Sequence, residues 1–440
     1  MAYLSNFIFS ILLFSAIFFF RRNILFVKRN IQIGKSIDRT DQSSKRWSNM
    51  ILIAFGQSKM INKPIAGLLH IVVYVGFVVI NIELLEIILD GLLGTHRVFA
   101  PYMGKAYDFL IATFEVFAAI VLVSVIVFWL RRNTLKIKRF WKSEMKGWPK
   151  RDADYILYFE MILMTLFLSM NATDLLLQQS GEPYYNEAGF FPVSQLITPL
   201  FSSFSINSLV LLERTFWWLH ISGILIFLNY LYYSKHLHIL LAFPNTYYQN
   251  LNSKGRFPNN EFVTKEVELM MDPDFDPYAS TVEDSVPEKF GASDVLDLNW
   301  VQLMNSYTCT ECGRCTDECP ANQTGKLLSP RKIMMDTRDR LEEVGNNINK
   351  NGTFIEDGKQ LLGDYITPEE LWACTSCNAC VESCPIGIDP LSIIMDMRQY
   401  QVMEQSAAPS DLNNMMSNIE NNGAPWPFNN QDRLLWTNEN

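Results

Sequence analysis

Eight cysteines, the whole complement of this 440-residue chain, fall into two groups with one shared spacing. The first is CTECGRCTDECP, with Cys309, Cys312, Cys315 and Cys319 followed by Pro320; the second is CTSCNACVESCP, with Cys374, Cys377, Cys380 and Cys384 followed by Pro385. Both fit C-x2-C-x2-C-x3-C-P. That spacing wraps three thiolates around one [4Fe–4S] cluster and sends the fourth to the other cluster. Cluster one is therefore expected on Cys309, Cys312, Cys315 and Cys384, and cluster two on Cys374, Cys377, Cys380 and Cys319. A zinc site would need a single tetrahedral set, usually as two separated pairs. A secreted disulfide framework would spread its cysteines along a short chain. Thiols reserved for metal imply a reducing compartment for this half of the chain.

Histidine is nearly as selective. The chain has five: His70, His96, His220, His236 and His238. Four lie within or at the ends of five apolar segments, near 3–20, 65–90, 106–130, 155–177 and 207–234, each long enough for a bilayer that needs about 20 residues. An ionisable group inside a membrane is costly and marks a functional candidate, the alternative being a satisfied interfacial histidine. His220 and His238 are 18 residues apart. On a continuous helix that is about five turns, or 27 Å, along one face, with His236 turned roughly 160° away. His70, near the start of the second segment, matches the depth of His238 at the end of the fifth. Two imidazoles on facing helices at one level suit a six-coordinate haem b, so His70 and His238 are the expected axial pair.

These groups need positioning elements, and the chain supplies them in two parts. Its mean hydropathy of +0.05 averages an apolar 1–245 with a polar, acidic remainder. The expected fold is all-α: a five-helix transmembrane bundle, a linker over 246–298, an α-helical ferredoxin domain over 299–402, and a tail over 403–440. Lys and Arg number ten in 21–63 and nine in 131–151, but none occurs in 178–206. The positive-inside rule then puts the N-terminus outside and the cysteines in the cytoplasm, agreeing with the redox argument. The first apolar run precedes its charges and shows no small-residue cleavage site, so it reads as a retained anchor rather than a signal peptide. The linker, rich in Asp, Pro and Ser (MMDPDFDPYAS), is expected to be irregular apart from a helix around Lys265–Met271. Ser329-Pro330 and Thr367-Pro368-Glu369-Glu370 read as helix starts, the latter a capping box.

Two resemblances follow from these motifs. LHISGILIFLNYLYYSKHLHIL and AGLLHIVVYVGF resemble the last and second spans of the nitrate reductase gamma-subunit family, over about residues 65–245. That resemblance implies a menaquinol-oxidising cytochrome b, generally with two haems. The family's second span carries another histidine ten residues after the first, where this chain has Ile80. His220 matches the outer-haem ligand but lacks that partner. Either one haem is present and His220 serves the quinone, or His96 folds back to complete a second; one haem is the preferred expectation. The cysteine motifs, the 54-residue spacer and SPRKIMMDTRDR together resemble iron–sulfur subunits of heterodisulfide reductases and of glycerol-3-phosphate and glycolate dehydrogenases. The tail IENNGAPWPFNNQDRLLW is similar to a segment that precedes cysteine-rich catalytic repeats in longer heterodisulfide-reductase-like chains. This implies a separate cysteine-rich partner docking on Pro425, Trp426, Phe428 and Trp436, unless the tail packs on its own domain.

The resulting expectation is an electron-transfer subunit in a bacterial cytoplasmic membrane. It would relay electrons between menaquinone or another quinone, haem b, two [4Fe–4S] clusters and a cytoplasmic cysteine-rich iron–sulfur partner. Glu83, Glu86, His96, Arg97, Glu213 and Arg214, near the outer surface, are candidates to hydrogen-bond a quinone and move its protons, or Glu213 and Arg214 simply pair with neighbouring helices. Two other readings remain: a self-contained quinone oxidoreductase fed by a diffusing ferredoxin, and a haem-free membrane anchor whose histidines merely pack. The net charge of −9 and the absence of a clustered basic face argue against nucleic acid. No G-x-G-x-x-G follows a strand pattern, so neither flavin nor nicotinamide binding is indicated.

Overall fold

The computed structural model describes residues 3–257, 259, 261–273, 289–427 and 429–438. Five helices in it are long and apolar enough to cross a membrane: Leu4–Gln32, Pro64–Leu93, Lys105–Asn133, Trp148–Gln179 and Ile206–Tyr233. Their ends follow local rules. Pro64 occupies the first turn of the second helix, where a missing N–H costs nothing, and Gly94 closes it at φ +74°, a conformation glycine adopts freely. Ser205 caps the fifth by accepting from Ser208 N. Phe9, Phe114, Phe167 and Ile221 are fully buried where the spans meet.

The first and fifth spans depart from the hydropathic outline. The first does not stop near residue 20. It continues to Gln32, and Val27 and Ile31 join the hydrophobic core of the cysteine-bearing half. Buried Asn30 donates to the Tyr307 hydroxyl at 2.9 Å, and Arg29 donates to the Gly345 carbonyl at 2.7 Å. Lys35 then exchanges backbone hydrogen bonds with Leu298 and Trp300 (2.8 and 3.1 Å). At Gly34 a Cβ would lie 2.7 Å from Trp300 N, which leaves no room for a side chain. Basic residues that read only as a topology signal thus lie on a helix that enters the second half.

The fifth span is not one continuous helix to His238. It breaks at Ser234, whose backbone is extended (φ −113°, ψ 150°), and a new helix runs His238–Tyr248. Asp152 holds the break, accepting from the Tyr230 hydroxyl at 2.6 Å and from Lys235 N at 3.1 Å. The expectation that His220 and His238 share one helical face is therefore overturned, and with it the opposite placement of His236.

The cysteine-bearing half is helical. Trp300–Thr308 starts with an Asn299 capping box. Pro330–Asn351 is capped by Ser329, and Thr367 and Glu370 form the expected capping box. Pro390–Met403 completes the set. Leu303, Ile333, Leu341, Val344, Ile393 and Met397 form a core with no measurable exposure. Of the stretch 246–298, a helix covers Glu261–Met271, residues 274–288 lie outside the described residues, and Ala292, Val295 and Leu298 belong to that core. In the tail a helix runs Ser410–Asn422. Trp426 and Trp436 are exposed, while Phe428 lies outside the described residues.

Candidate functional site

Each cysteine motif folds as a loop followed by a short helix, and the two loops repeat one backbone pattern. Glu311 and Gly313 in the first, and Ser376 and Asn378 in the second, sit at positive φ (54°, 73°, 56° and 59°). Alternating left-handed residues turn successive backbone N–H groups to one side, as a nest for a negatively charged group requires. Ser376 N points at Cys374 Sγ at 3.4 Å, and Ile388 N at Cys384 Sγ at 3.3 Å.

The loops bound two cavities. One is lined by Cys309, Cys312, Cys315, Cys380 and Cys384. The other is lined by Cys319, Cys374, Cys377 and Cys380. The last cysteine of each motif thus lies with the other motif's cysteines, and Cys380 lines both cavities. Burial pushes the Cys309 thiol up to about 12 and Cys384 up to about 11. A thiolate there is costly unless a cation compensates it, which coordination to iron provides. The donor set and surroundings fit iron–sulfur clusters.

The first cage faces the bundle. Arg314 donates to the Lys59 carbonyl at 3.4 Å, just before the turn that starts the second span. Arg331, fully buried, donates to Glu144 at 2.6 Å and to the Arg139 carbonyl at 2.7 Å. Glu311 is clamped between Lys235 and Arg338, the latter at 2.9 Å. The second cage points away, with Cys377 exposed.

At the bundle end below the first cage, His70 and His238 face each other with ring centroids 6.5 Å apart. The rings are close enough for one metal ion to bind a nitrogen of each. His238 donates its Nδ1–H to the Lys235 carbonyl at 3.0 Å, which fixes the tautomer and leaves Nε2 free to ligate. His70 Nδ1 is buried without a partner. His236, which helical geometry turned away, instead lies 5.4 Å from the His238 ring. The pair meets because the chain breaks at Ser234, not because the helix continues.

His220 is buried deeper in the bundle. It donates Nδ1–H to the Leu163 carbonyl at 3.1 Å and rests on Phe167. His96 does not turn towards it. Its Nε2 bonds Asp174 at 3.1 Å and its ring lies 5.1 Å from Tyr185. A second haem on His96 and His220 is not assembled.

At the far end of the bundle a cavity collects Glu83, Glu86, His96, Arg97, Glu213 and Arg214, along with Asp174 and Tyr184. Arg97 is buried and donates to Asp174 at 2.6 and 2.8 Å. Glu86 accepts from the Tyr107 hydroxyl at 2.7 Å. Glu213 accepts from Arg214 at 2.5 and 2.6 Å and from the Tyr185 hydroxyl at 2.8 Å, so these two residues pair with each other. Asp174, Tyr107, Tyr185, Lys235 and Glu311 escape a reading of the sequence alone. Asp174, an aspartate within an apolar span, carries the one signal that could have found it.

Residues 308–388 match the family model of the 4Fe-4S dicluster domain. The chain is 26% identical over 439 aligned positions to a probable iron-sulfur-binding oxidoreductase FadF of Bacillus subtilis, covering 93% of this chain and 57% of that one. It is 25% identical to an EtfAB:quinone oxidoreductase of Syntrophomonas wolfei, over 92% of this chain and 55% of that one. Over 27% of this chain it is 31% identical to one subunit of the CoB-CoM heterodisulfide reductase of Methanosarcina acetivorans, covering 60% of that protein. The chain spans about half the length of the first two relatives. No solved structure matches it. The chain thus carries an iron–sulfur dicluster domain beside five apolar helices and is related to iron–sulfur oxidoreductases.

Proposed function

We propose that this chain is a membrane-bound electron-transfer subunit linking a quinone to a cytoplasmic redox partner. A haem b would sit on His70 and His238, cluster one on Cys309, Cys312, Cys315 and Cys384, and cluster two on Cys319, Cys374, Cys377 and Cys380. Each of these groups, when bound, carries one electron at a time and so connects the two-electron chemistry of a quinone to that of a partner. The carrying observation is the imidazole pair, 6.5 Å apart, next to the first cage. Lys235 touches both sites: its carbonyl holds His238 and its ammonium pairs with Glu311 between two cage cysteines.

Supporting the reading, a relative whose name includes quinone oxidoreductase aligns along 92% of the chain, spans included. The likeness to part of a heterodisulfide reductase favours a cysteine-rich iron–sulfur partner in a complex. The exposed edge at Cys377 is the natural docking point for it, and Trp426 and Trp436 are further candidates. The Lys/Arg asymmetry supports an outward N-terminus and a cytoplasmic second half. The quinone is proposed at the far cavity, where polar groups cluster inside an apolar bundle.

An optical and iron inventory of the detergent-purified protein, wild type beside His70→Ala, tests this. The expected result is a dithionite-reducible b-type spectrum that the variant abolishes, with about eight non-haem irons per chain in both. Wild-type protein with clusters and no haem would reduce the bundle to an anchor.

A further inference from the structure

Not every polar group in the far cavity is satisfied. Asp90 accepts from Arg97 N at 2.8 Å and Val98 N at 3.1 Å; Glu86, Asp174 and Glu213 are bonded as described above. Glu83 is the exception. It is 3% exposed, it lines the cavity, and its Oε2 has no hydrogen-bond partner. A buried carboxyl oxygen that lines a cavity and has no protein partner is a vacant contact for a ligand.

A second unpaired acceptor lies in the same cavity. The His96 side chain is 7% exposed, and its Nδ1 is also buried and unpartnered. Because Nε2–H is committed to Asp174, the neutral ring presents Nδ1 as a bare lone pair. Asp174 is in turn held by buried Arg97. This is the arrangement in which a carboxylate fixes a histidine tautomer and stabilises the imidazolium formed when it takes a proton. The cavity therefore offers two buried polar atoms without protein partners, Glu83 Oε2 and His96 Nδ1, with Ile87, Met170 and Trp217 as apolar wall.

A ligand complementary to this site has two hydroxyl donors on an apolar ring, and a hydroquinone meets that description. We propose that Glu83 and His96 are the two bases of a hydroquinone site, an inference that rests on the quinone-linked reading above. One hydroxyl proton passes to Glu83 Oε2 and the other to His96 Nδ1. Two electrons would leave for the one-electron iron groups that the chain's cysteines and histidines would hold, and the ring would depart as quinone. The residues then stand as carboxylic acid and imidazolium, both donors, which match the quinone carbonyls for the reverse reaction. Asp174 and Arg97 are positioning residues for His96.

The test uses the full-length detergent-purified protein, with 2-heptyl-4-hydroxyquinoline N-oxide as a fluorescent probe of the cavity and menadiol as donor. Wild type must bind the probe; failure there defeats the quinone reading itself. Glu83→Gln keeps the shape and loses the base, and His96→Gln keeps an N–H donor for Asp174 and loses the base. Probe affinity should stay within about threefold, while reduction of the iron centres by menadiol in a single turnover slows about 100-fold or more. A protonated-carboxyl band is expected in wild-type redox-difference infrared spectra and should be missing in Glu83→Gln. Variants that bind the probe and are reduced at the wild-type rate would overturn the assignment. So would variants that no longer bind the probe, since that makes the two residues part of the cavity wall rather than its bases.

Discussion

Replacing Arg331 by Met perturbs the joint between the two halves of the chain at its most buried ion pair. Arg331 has no exposed side-chain surface and Glu144 retains 8%. The guanidinium donates to Glu144 at 2.6 Å and to the Arg139 carbonyl at 2.7 Å. The Ser329 hydroxyl adds a bond to the same carboxylate oxygen at 2.8 Å. Removing one member strands a buried carboxylate, which costs about 3–5 kcal/mol. At about 1.4 kcal/mol per decade, local opening of the 134–147 loop should become roughly 100- to 4,000-fold more frequent. Amide hydrogen exchange of that loop measures this directly. Replacing both residues, Arg331→Met with Glu144→Leu, should return more than half of the lost protection, because no charge is left unpaired. The pH dependence follows the same logic. Burial raises the Glu144 carboxyl and the Arg331 guanidinium pulls it down, with the net below its ordinary value. A depressed carboxyl stabilises the folded form above the unfolded value and loses that contribution as pH falls through the folded one. Protection should therefore decline in acid in the wild type and not in the double variant. A change of less than about threefold in Arg331→Met, or a double variant as exposed as the single, would refute the reasoning.

Further outcomes follow from the same geometry. Cys384→Ser should diminish the cluster held by Cys309, Cys312 and Cys315, and Cys319→Ser the cluster held by Cys374, Cys377 and Cys380. Iron content falling from about eight to about four, with a different electron paramagnetic resonance signal lost in each, is the check; loss of the same signal in both would contradict the crossed cages. Lys235→Met keeps the backbone carbonyl that holds His238 but removes a cation beside Glu311. Midpoint potentials of the haem and of cluster one should fall by on the order of tens of millivolts while cluster two is unmoved. Gly67→Ala, where a Cβ would lie 2.3 Å from the Met60 carbonyl oxygen, should displace the turn one step before His70 and lower haem content without changing iron–sulfur content.

Much of this is written along the chain in forms that local chemistry exposes. Five apolar runs announce five spans because burial in lipid is a matter of composition. Ser329, Thr367 and Glu370 announce helix starts because capping is local. The eight cysteines that the spacing singles out line two cavities, with Cys380 in both. What stays hidden depends on distant partners. The break at Ser234 is held by Asp152, some eighty residues away, so helical periodicity alone carries His236 to the wrong side of His238. The last turns of the first span look like any basic flank, and only the core they enter, around Tyr307 and Gly345, reveals their role. The Arg97–Asp174 pair joins a loop to a span 77 residues on, a relation hydropathy cannot express. His96 reads as a possible haem ligand for the same reason: nothing near it in the chain names Asp174.

Reoxidation of the dithionite-reduced protein by a naphthoquinone, followed by rapid mixing with optical and freeze-quench detection, tests the central claim most directly. In wild type the account predicts that haem and both clusters are reoxidised together, and that His70→Ala, with clusters intact, leaves the clusters reduced at least about 100-fold longer. Clusters reoxidised at the same rate with and without the His70 imidazole would contradict a path from quinone to clusters through the His70–His238 site.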